Sequence, residues 1–125
     1  NQYTKQLHKR YSQLNEFYTK QVAKAESKFY PESPVLFYTY SGNTSMSAEI
    51  SNKLYHKHKD KLIIVAFIRP EKVNVSIRGE KALETTKKLI ANIEDATGGG
   101  HVEATGAMIP IDDFETFKEN IKQIL

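Results

Sequence analysis

The chain has 125 residues, 39% of them hydrophobic, with a formal net charge of +3 and no cysteine. That length supports one domain with its own core, and the missing cysteines exclude thiol catalysis, cysteine metal sites and a disulfide framework, so an intracellular, cytoplasmic protein is the default expectation. The small basic excess, spread along the chain, permits polyanionic partners without requiring them, and no apolar run approaches the roughly 20 residues of a membrane span.

The first residue is Asn1 and no secretory leader pattern follows it, which reads as a segment of a longer protein. From about Tyr3 to Phe29, the residues Tyr3, Leu7, Leu14, Tyr18, Val22, Ala25 and Phe29 recur at helical spacing between Lys, Gln and Glu. This predicts one long amphipathic helix or two shorter ones, used for packing, for linking or for a partner. Residues 1–30 are read as that N-terminal helix and 31–125 as the domain proper, because Pro31 and Pro34 cannot continue a helical ladder.

Val35 to Tyr40 is β-branched and aromatic and predicts a strand. Ser41-Gly42-Asn43-Thr44 then turns the chain into a helix from about Ser45 to His58, with Met46, Ile50 and Leu54 facing inward. Leu62 to Ile68 is an almost unbroken apolar run, as expected of a strand covered on both faces. Strand, helix and strand in that order predict a parallel pair with a right-handed crossover. Only Arg69, Pro70 and Glu71 separate this run from Lys72 to Arg78, so the next strand is expected to return antiparallel. A helix is expected from Glu80 to about Glu94, followed by the glycines and a strand from about His101 to Ile109. Pro110 marks a boundary, and Asp112 with Glu115 resembles a capping box opening a helix that carries Phe114, Phe117, Ile121, Ile124 and Leu125 inward. The expected fold is α/β: a mixed sheet of four to five strands flanked by helices and preceded by an N-terminal amphipathic helix.

Two segments carry chemistry. In Lys72 to Arg78 the alternation of a strand sends Val73, Val75 and Ile77 to one face and Asn74, Ser76 and Arg78 to the other. An arginine at a strand end either sits at a solvated rim or forks onto phosphate through two parallel N–H groups, with a hydroxyl two residues back as a further donor. The second segment is Gly98-Gly99-Gly100-His101. Three glycines leave their amides unshielded and can form an anion-binding concavity beside the imidazole, or they simply cap the preceding helix and let the chain turn. A helix C-terminus just before them opposes an anion, which leaves the attraction to the amides, His101 and Arg78. Protonation of His101 makes such binding pH-sensitive.

Ser76-Ile77-Arg78, a helix, and then Gly98-Gly99-Gly100-His101-Val102-Glu103-Ala104-Thr105-Gly106-Ala107 resemble the DHH-associated C-terminal domain of DHH-superfamily phosphoesterases. That superfamily includes RecJ-like exonucleases, oligoribonucleases, 3′-phosphoadenosine phosphate phosphatases and cyclic-dinucleotide phosphodiesterases. The resemblance, carried by a GGGH-x-x-A-x-G motif and an upstream S-x-R, runs from about Ser33 to the C-terminus. It implies a parent enzyme whose N-terminal domain holds two Mn²⁺ or Mg²⁺ ions that activate water against phosphorus. The domain in hand then grips the substrate: Arg78 and His101 on phosphate, Gly98, Gly99 and Gly100 through their amides, and Ser76 in support. The expected partners are the catalytic DHH domain of the same parent chain and a single-stranded or short oligonucleotide, or a nucleotide, with no membrane involved.

No catalytic residue is expected in this fragment, which is expected to bind and not to cleave. Asp-His-His does not occur, the pairs Glu94-Asp95 and Asp112-Asp113 read as helix-end or capping features, and His56 and His58 face different ways on one helix. Two other readings stand beside this one. Phe37 to Thr44 is similar to the flavodoxin phosphate loop and would bind FMN at a helix N-terminus; a milder version makes Ser41, Thr44 and Ser45 a secondary anion contact, against ordinary N-capping by Thr44 or Ser45. The chain is also similar to the glycine-rich, non-catalytic RNA-binding appendage of alanyl-tRNA synthetases, whose motif usually has Arg where this chain has His101.

Overall fold

Pro31 and Pro34 divide the chain where their chemistry requires. In the computed structural model, which describes residues 1–125, helix α1 (Gln2–Ser27) ends before them and strand β1 (Val35–Tyr40) begins after them. The N-terminal periodicity therefore forms one helix and not two. Helix α2 (Ser47–Lys57) follows, then strand β2 (Leu62–Ile68), which pairs with β1 in parallel, Val35 opposite Leu62 and Tyr40 opposite Phe67. The short Arg69 to Glu71 connection folds β3 (Lys72–Arg78) back antiparallel on β2, with Ile63 opposite Arg78.

Helix α3 (Ala82–Ile90) is shorter than its sequence pattern predicts. Its Leu89 carbonyl accepts from the Asn120 side chain at 2.9 Å, and the Ile93 amide, which would bond Leu89 in a continuing helix, bonds Ile90 at 3.0 Å instead. Ile93 still reaches the core, but through a turn. The glycines also depart from expectation. Thr97–Gly100 forms an edge strand, β4, paired antiparallel with β5 (Ala104–Pro110), and His101 lies in the turn between them and does not open the last strand. A short 3₁₀ turn at Ile111–Asp113 leads into α4 (Phe114–Gln123), which starts without a side-chain cap, so the capping box expected of Asp112 and Glu115 is not formed.

The sheet order is β1-β2-β3-β5-β4, five strands with one parallel pair. Its two faces carry separate cores. Val22, Ala25, Ile50 and Leu54 of α1 and α2 pack on Leu36, Tyr38, Ile63 and Val65 on one side. Leu89, Phe114, Phe117 and Ile121 of α3 and α4 pack on Ile64, Val75, Ile77 and Ile109 on the other. β2 is thus apolar on both faces, as its sequence requires. The two helix layers do not match in reach: α1 and α2 lie over β1, β2 and β3, whereas α3 and α4 reach β5 and β4 on the opposite side.

Candidate nucleic-acid interface

The candidate site begins as a row across the sheet. Partners in register share a face, so Tyr38, Val65, Ser76, Gly106 and Gly99 form one line from β1 to β4 on the α1/α2 side. Helices bury the first two residues of that line. Beyond half-buried Ser76 the line continues as bare backbone, since Gly106 is exposed and a Cβ added at Gly99 would meet no atom within 4 Å. Nothing in the packing requires glycine at Gly99. Its neighbours differ: a Cβ at Gly98 would stand 3.2 Å from Ile90 Cδ1 under α3, and Gly100 has a φ of +143° with its Cβ position 2.6 Å from the Ala104 carbonyl oxygen. Gly98 is needed for packing, Gly100 for the turn, and Gly99 leaves an open floor.

The amides of these glycines do not converge, because successive amides of a strand point in opposite directions. His101 and Ala104 exchange backbone bonds at 2.9 and 3.4 Å. By the two-residue alternation of an antiparallel ladder, Gly99 and Gly106 are the next exchanging pair, which turns the Gly98 and Gly100 amides toward the free sheet edge. The expected loop concavity is therefore replaced by a flat floor with a donor-bearing rim. The opposing helix C-terminus is also removed, since α3 ends at Ile90 and the macrodipole fades within its last turn.

Arg78 closes one end of this shelf. Its Nε donates to Asn52 Oδ1 at 2.7 Å, and its Nη1 donates to the carbonyls of Ile77 at 3.0 Å and Thr105 at 3.1 Å. Burial lowers its pKa from the ordinary arginine value, and the guanidinium stays charged at neutral pH. Three donors are engaged by protein, so the fork expected of Arg78 is reduced to the two protons of Nη2. Next to Asn52 on α2, the Tyr55 hydroxyl donates to Glu103 at 3.5 Å, and burial together with the nearby Glu103 and Glu80 charges raises its pKa.

His101 is exposed at the tip of the β4–β5 turn. Two bonds tie that tip to the start of α3, Gly79 N to the Glu103 carbonyl at 3.1 Å and Leu83 N to the Val102 carbonyl at 3.0 Å. Because Ala104 pairs with Arg78, the His101 turn and Arg78 lie at the same end of the sheet. Ser41, Thr44 and Ser45 lie at the other end, since Tyr40 aligns with Phe67 and Arg78 with Ile63, four residues or about 13 Å away along β2. There Thr44 accepts from Arg10 at 3.2 Å, Ser45 stands 3.4 Å from Ser47, and the start of α2 is held by the Tyr40 hydroxyl, which accepts from Met46 N at 2.9 Å. N-capping by Thr44 or Ser45 is not formed. A hollow of about 740 Å³ lies at this other end, between Ser41–Ser45 and Phe67–Pro70.

Sequence reasoning missed Asn52 and the Thr105 carbonyl. Asn52 is two residues from both Ile50 and Leu54 and so lies off the buried stripe of α2, where helical spacing does not mark it as a partner of Arg78; a backbone acceptor such as Thr105 leaves no mark in side-chain pattern. No group of three or more His, Asp or Glu gathers to hold a metal ion.

The family model of the DHHA1 domain matches residues 32–125. The chain belongs to the DHHA1 domain family. No curated protein matches it in sequence, but solved structures share its fold. This DHHA1 domain is similar to the C-Ala domain of alanyl-tRNA synthetase from Aquifex aeolicus, with 16% identity and a TM-score of 0.62 over 73% of this chain and 89% of that one. It is similar to RecJ from Thermus thermophilus in complex with Mg²⁺, with 15% identity and a TM-score of 0.72 over 95% of this chain and 19% of that one. An exonuclease RecJ bound to manganese gives 15% identity and a TM-score of 0.74 over 95% of this chain and 30% of that one. The DHHA1 chain thus spans less than a third of either RecJ. No helix in it is long and apolar enough to cross a membrane.

Proposed function

We propose that the shelf formed by Ser76, Arg78, Gly99 and Gly106, with His101 at its end, binds the phosphate of a single-stranded or short oligonucleotide, or of a nucleotide. In this reading a longer parent chain presents that ligand to a DHH-type catalytic domain, where Mn²⁺ or Mg²⁺ supports hydrolysis of phosphodiester or phosphomonoester bonds. The observation that carries it is the state of Arg78: a charged guanidinium pinned by one side chain and two carbonyls, with Nη2 left free. A fixed, partly desolvated cation with unused donors beside uncovered backbone suits an anion attached to a flat, extended unit. Within it, the Gly98 and Gly100 amides act from the sheet edge and Ser76 from the floor. A ligand that also reaches Ser41, Thr44 and Ser45 is longer than one nucleotide, given the separation of the two ends.

The DHHA1 family and the RecJ likeness support a phosphoesterase parent of the exonuclease or oligoribonuclease type. The C-Ala likeness supports a second reading, an RNA-binding appendage without catalysis, because this chain spans 89% of that domain. The flavodoxin reading loses its support, since a doubly wound parallel sheet is required and only β1 and β2 are parallel. Fluorescence titration with labelled single-stranded DNA and RNA across salt concentrations tests the proposal. Binding is expected to weaken with salt, and Arg78→Ala to cost roughly 1.5–3 kcal/mol, the range for hydrogen bonds to charged groups. Unchanged binding in an Arg78→Ala, His101→Ala double variant contradicts it.

A further inference from the structure

A second polar surface lies at the far end of the sheet from Arg78. β1 and β2, the one parallel pair, end side by side with Tyr40 opposite Phe67, and their connections part there, one leading to α2 and the other to β3. Between the two connections is the hollow of about 740 Å³, a volume within the range of small-molecule sites. The crevice outside the carboxyl ends of parallel strands is where open α/β sheets take their ligands. Phe67, Ile68 and Pro70 give this hollow an apolar wall, and Ser41, Asn43, Ser45 and Arg69 give it a polar one.

The polar wall is short of acceptors. Five successive backbone amides, those of Ser41 to Ser45, donate to no acceptor in the protein. They are held in place from beneath: the buried Tyr40 hydroxyl accepts from Met46 N at 2.9 Å and lies 2.7 Å from Ser47 Oγ, and a Cβ at Gly42, whose φ is +147°, would stand 3.2 Å from the Phe17 ring. Fixed, successive N–H groups in a turn make a place for an anion. Charge points the same way. The Arg69 side chain makes no ion pair and no hydrogen bond, and Arg10 reaches Thr44 at 3.2 Å from the other side of the turn. Neither hollow beside the turn has a carboxylate in its lining, whereas the hollows at Lys61, Lys118 and Tyr18 each include Asp or Glu. A guanidinium with all its donors unused, next to unpaired amides and hydroxyls, suits the three terminal oxygens of a phosphate group. We infer that the Ser41–Ser45 turn and Arg69 bind the phosphate of a small phosphate monoester whose apolar part rests on Ile68 and Pro70. This place is about 13 Å along β2 from Arg78, so it is a second site and does not depend on the reading of the shelf.

The test is a backbone amide NMR titration of this chain at constant ionic strength, with phenyl phosphate in one series and inorganic phosphate in another. Phenyl phosphate is expected to give saturable shifts on the amides of Ser41 to Ser45 and of Arg69. Inorganic phosphate should shift the same amides with an affinity several-fold weaker, because it leaves the apolar wall unused. Arg69→Gln removes one charged partner without breaking any bond within the protein, so its fold is retained and its affinity for phenyl phosphate at the turn should fall about tenfold. Lys20→Gln, which removes the same charge from α1, should change that affinity by less than about twofold. The site is overturned if the Ser41 to Ser45 amides show no saturable shift, or if Arg69→Gln and Lys20→Gln weaken it equally. Equal affinities for the two ligands overturn the monoester and its apolar wall. Each of these readings is taken at the turn, so none of them bears on Arg78.

Discussion

Three adjacent glycines look alike in sequence and differ in what they do. Gly100 is fixed by backbone geometry, with its positive φ and the Ala104 oxygen in the way of any Cβ. Gly100→Ala should destabilise the domain by about 1–3 kcal/mol, the cost of a strained backbone position. Gly99→Ala meets open space; its melting temperature should match the parent, yet oligonucleotide affinity should drop because the methyl stands on the floor. Thermal unfolding and titration of both variants separate the two roles, and a Gly99→Ala protein that binds normally removes the floor from the site. Arg78 was legible as a polar-face strand residue, but its partners were not, because Asn52 lies 26 residues away in the chain. Asn52→Asp places a carboxylate on the same Nε. The tether should hold, so stability is retained, while affinity and salt slope both fall as the site charge is neutralised. Were Asn52 only a structural brace, binding would follow stability and not fall.

At the scale of elements, the strands and their directions were readable because their signals are local. β1 and β2 announce themselves by β-branched runs, and the three-residue Arg69 to Glu71 connection leaves no room for a crossover. β4 was not readable. Thr97-Gly98-Gly99-Gly100 carries no strand propensity, and it pairs only because β5 supplies a ladder beside it. The end of α3 was hidden for a similar reason, since the Asn120 side chain that takes over the Leu89 carbonyl comes from α4. Helix α1 was legible as a helical stretch, but not as one helix instead of two, nor the division within it. Its second half is anchored by Val22 and Ala25, by the Gln21 bond to the Tyr38 hydroxyl and by His58 on Glu26 at 2.9 Å, while Tyr3, Leu7 and Tyr11 remain 54–70% exposed. Deleting residues 1–9 should therefore change unfolding stability by no more than about 0.5 kcal/mol. Val22→Ala, in contrast, should cost a measurable part of it. A large loss on deletion would mean that the exposed half is packed after all.

Across the whole molecule, the candidate site follows from an offset between two layers. The α3/α4 layer backs β5 and β4, the α1/α2 layer stops at β3, and the uncovered strip between is where Ser76, Arg78, Gly106 and Gly99 come together. No single segment encodes that strip; it is the difference between where one pair of helices ends and the other begins. The same geometry separates the Arg78 end of the sheet from the Ser41–Ser45 end, which was invisible while both were only hydroxyl- and glycine-rich stretches of sequence. The most direct measurement is a titration of this chain with a short single-stranded oligonucleotide, followed by backbone and arginine side-chain NMR shifts. The account predicts that the first and largest changes fall on Ser76, Arg78, Gly99, Thr105 and Gly106 and on the Arg78 guanidinium; changes confined to the Ser41–Ser47 turn or to α1, with the Arg78 signals unmoved, would contradict it.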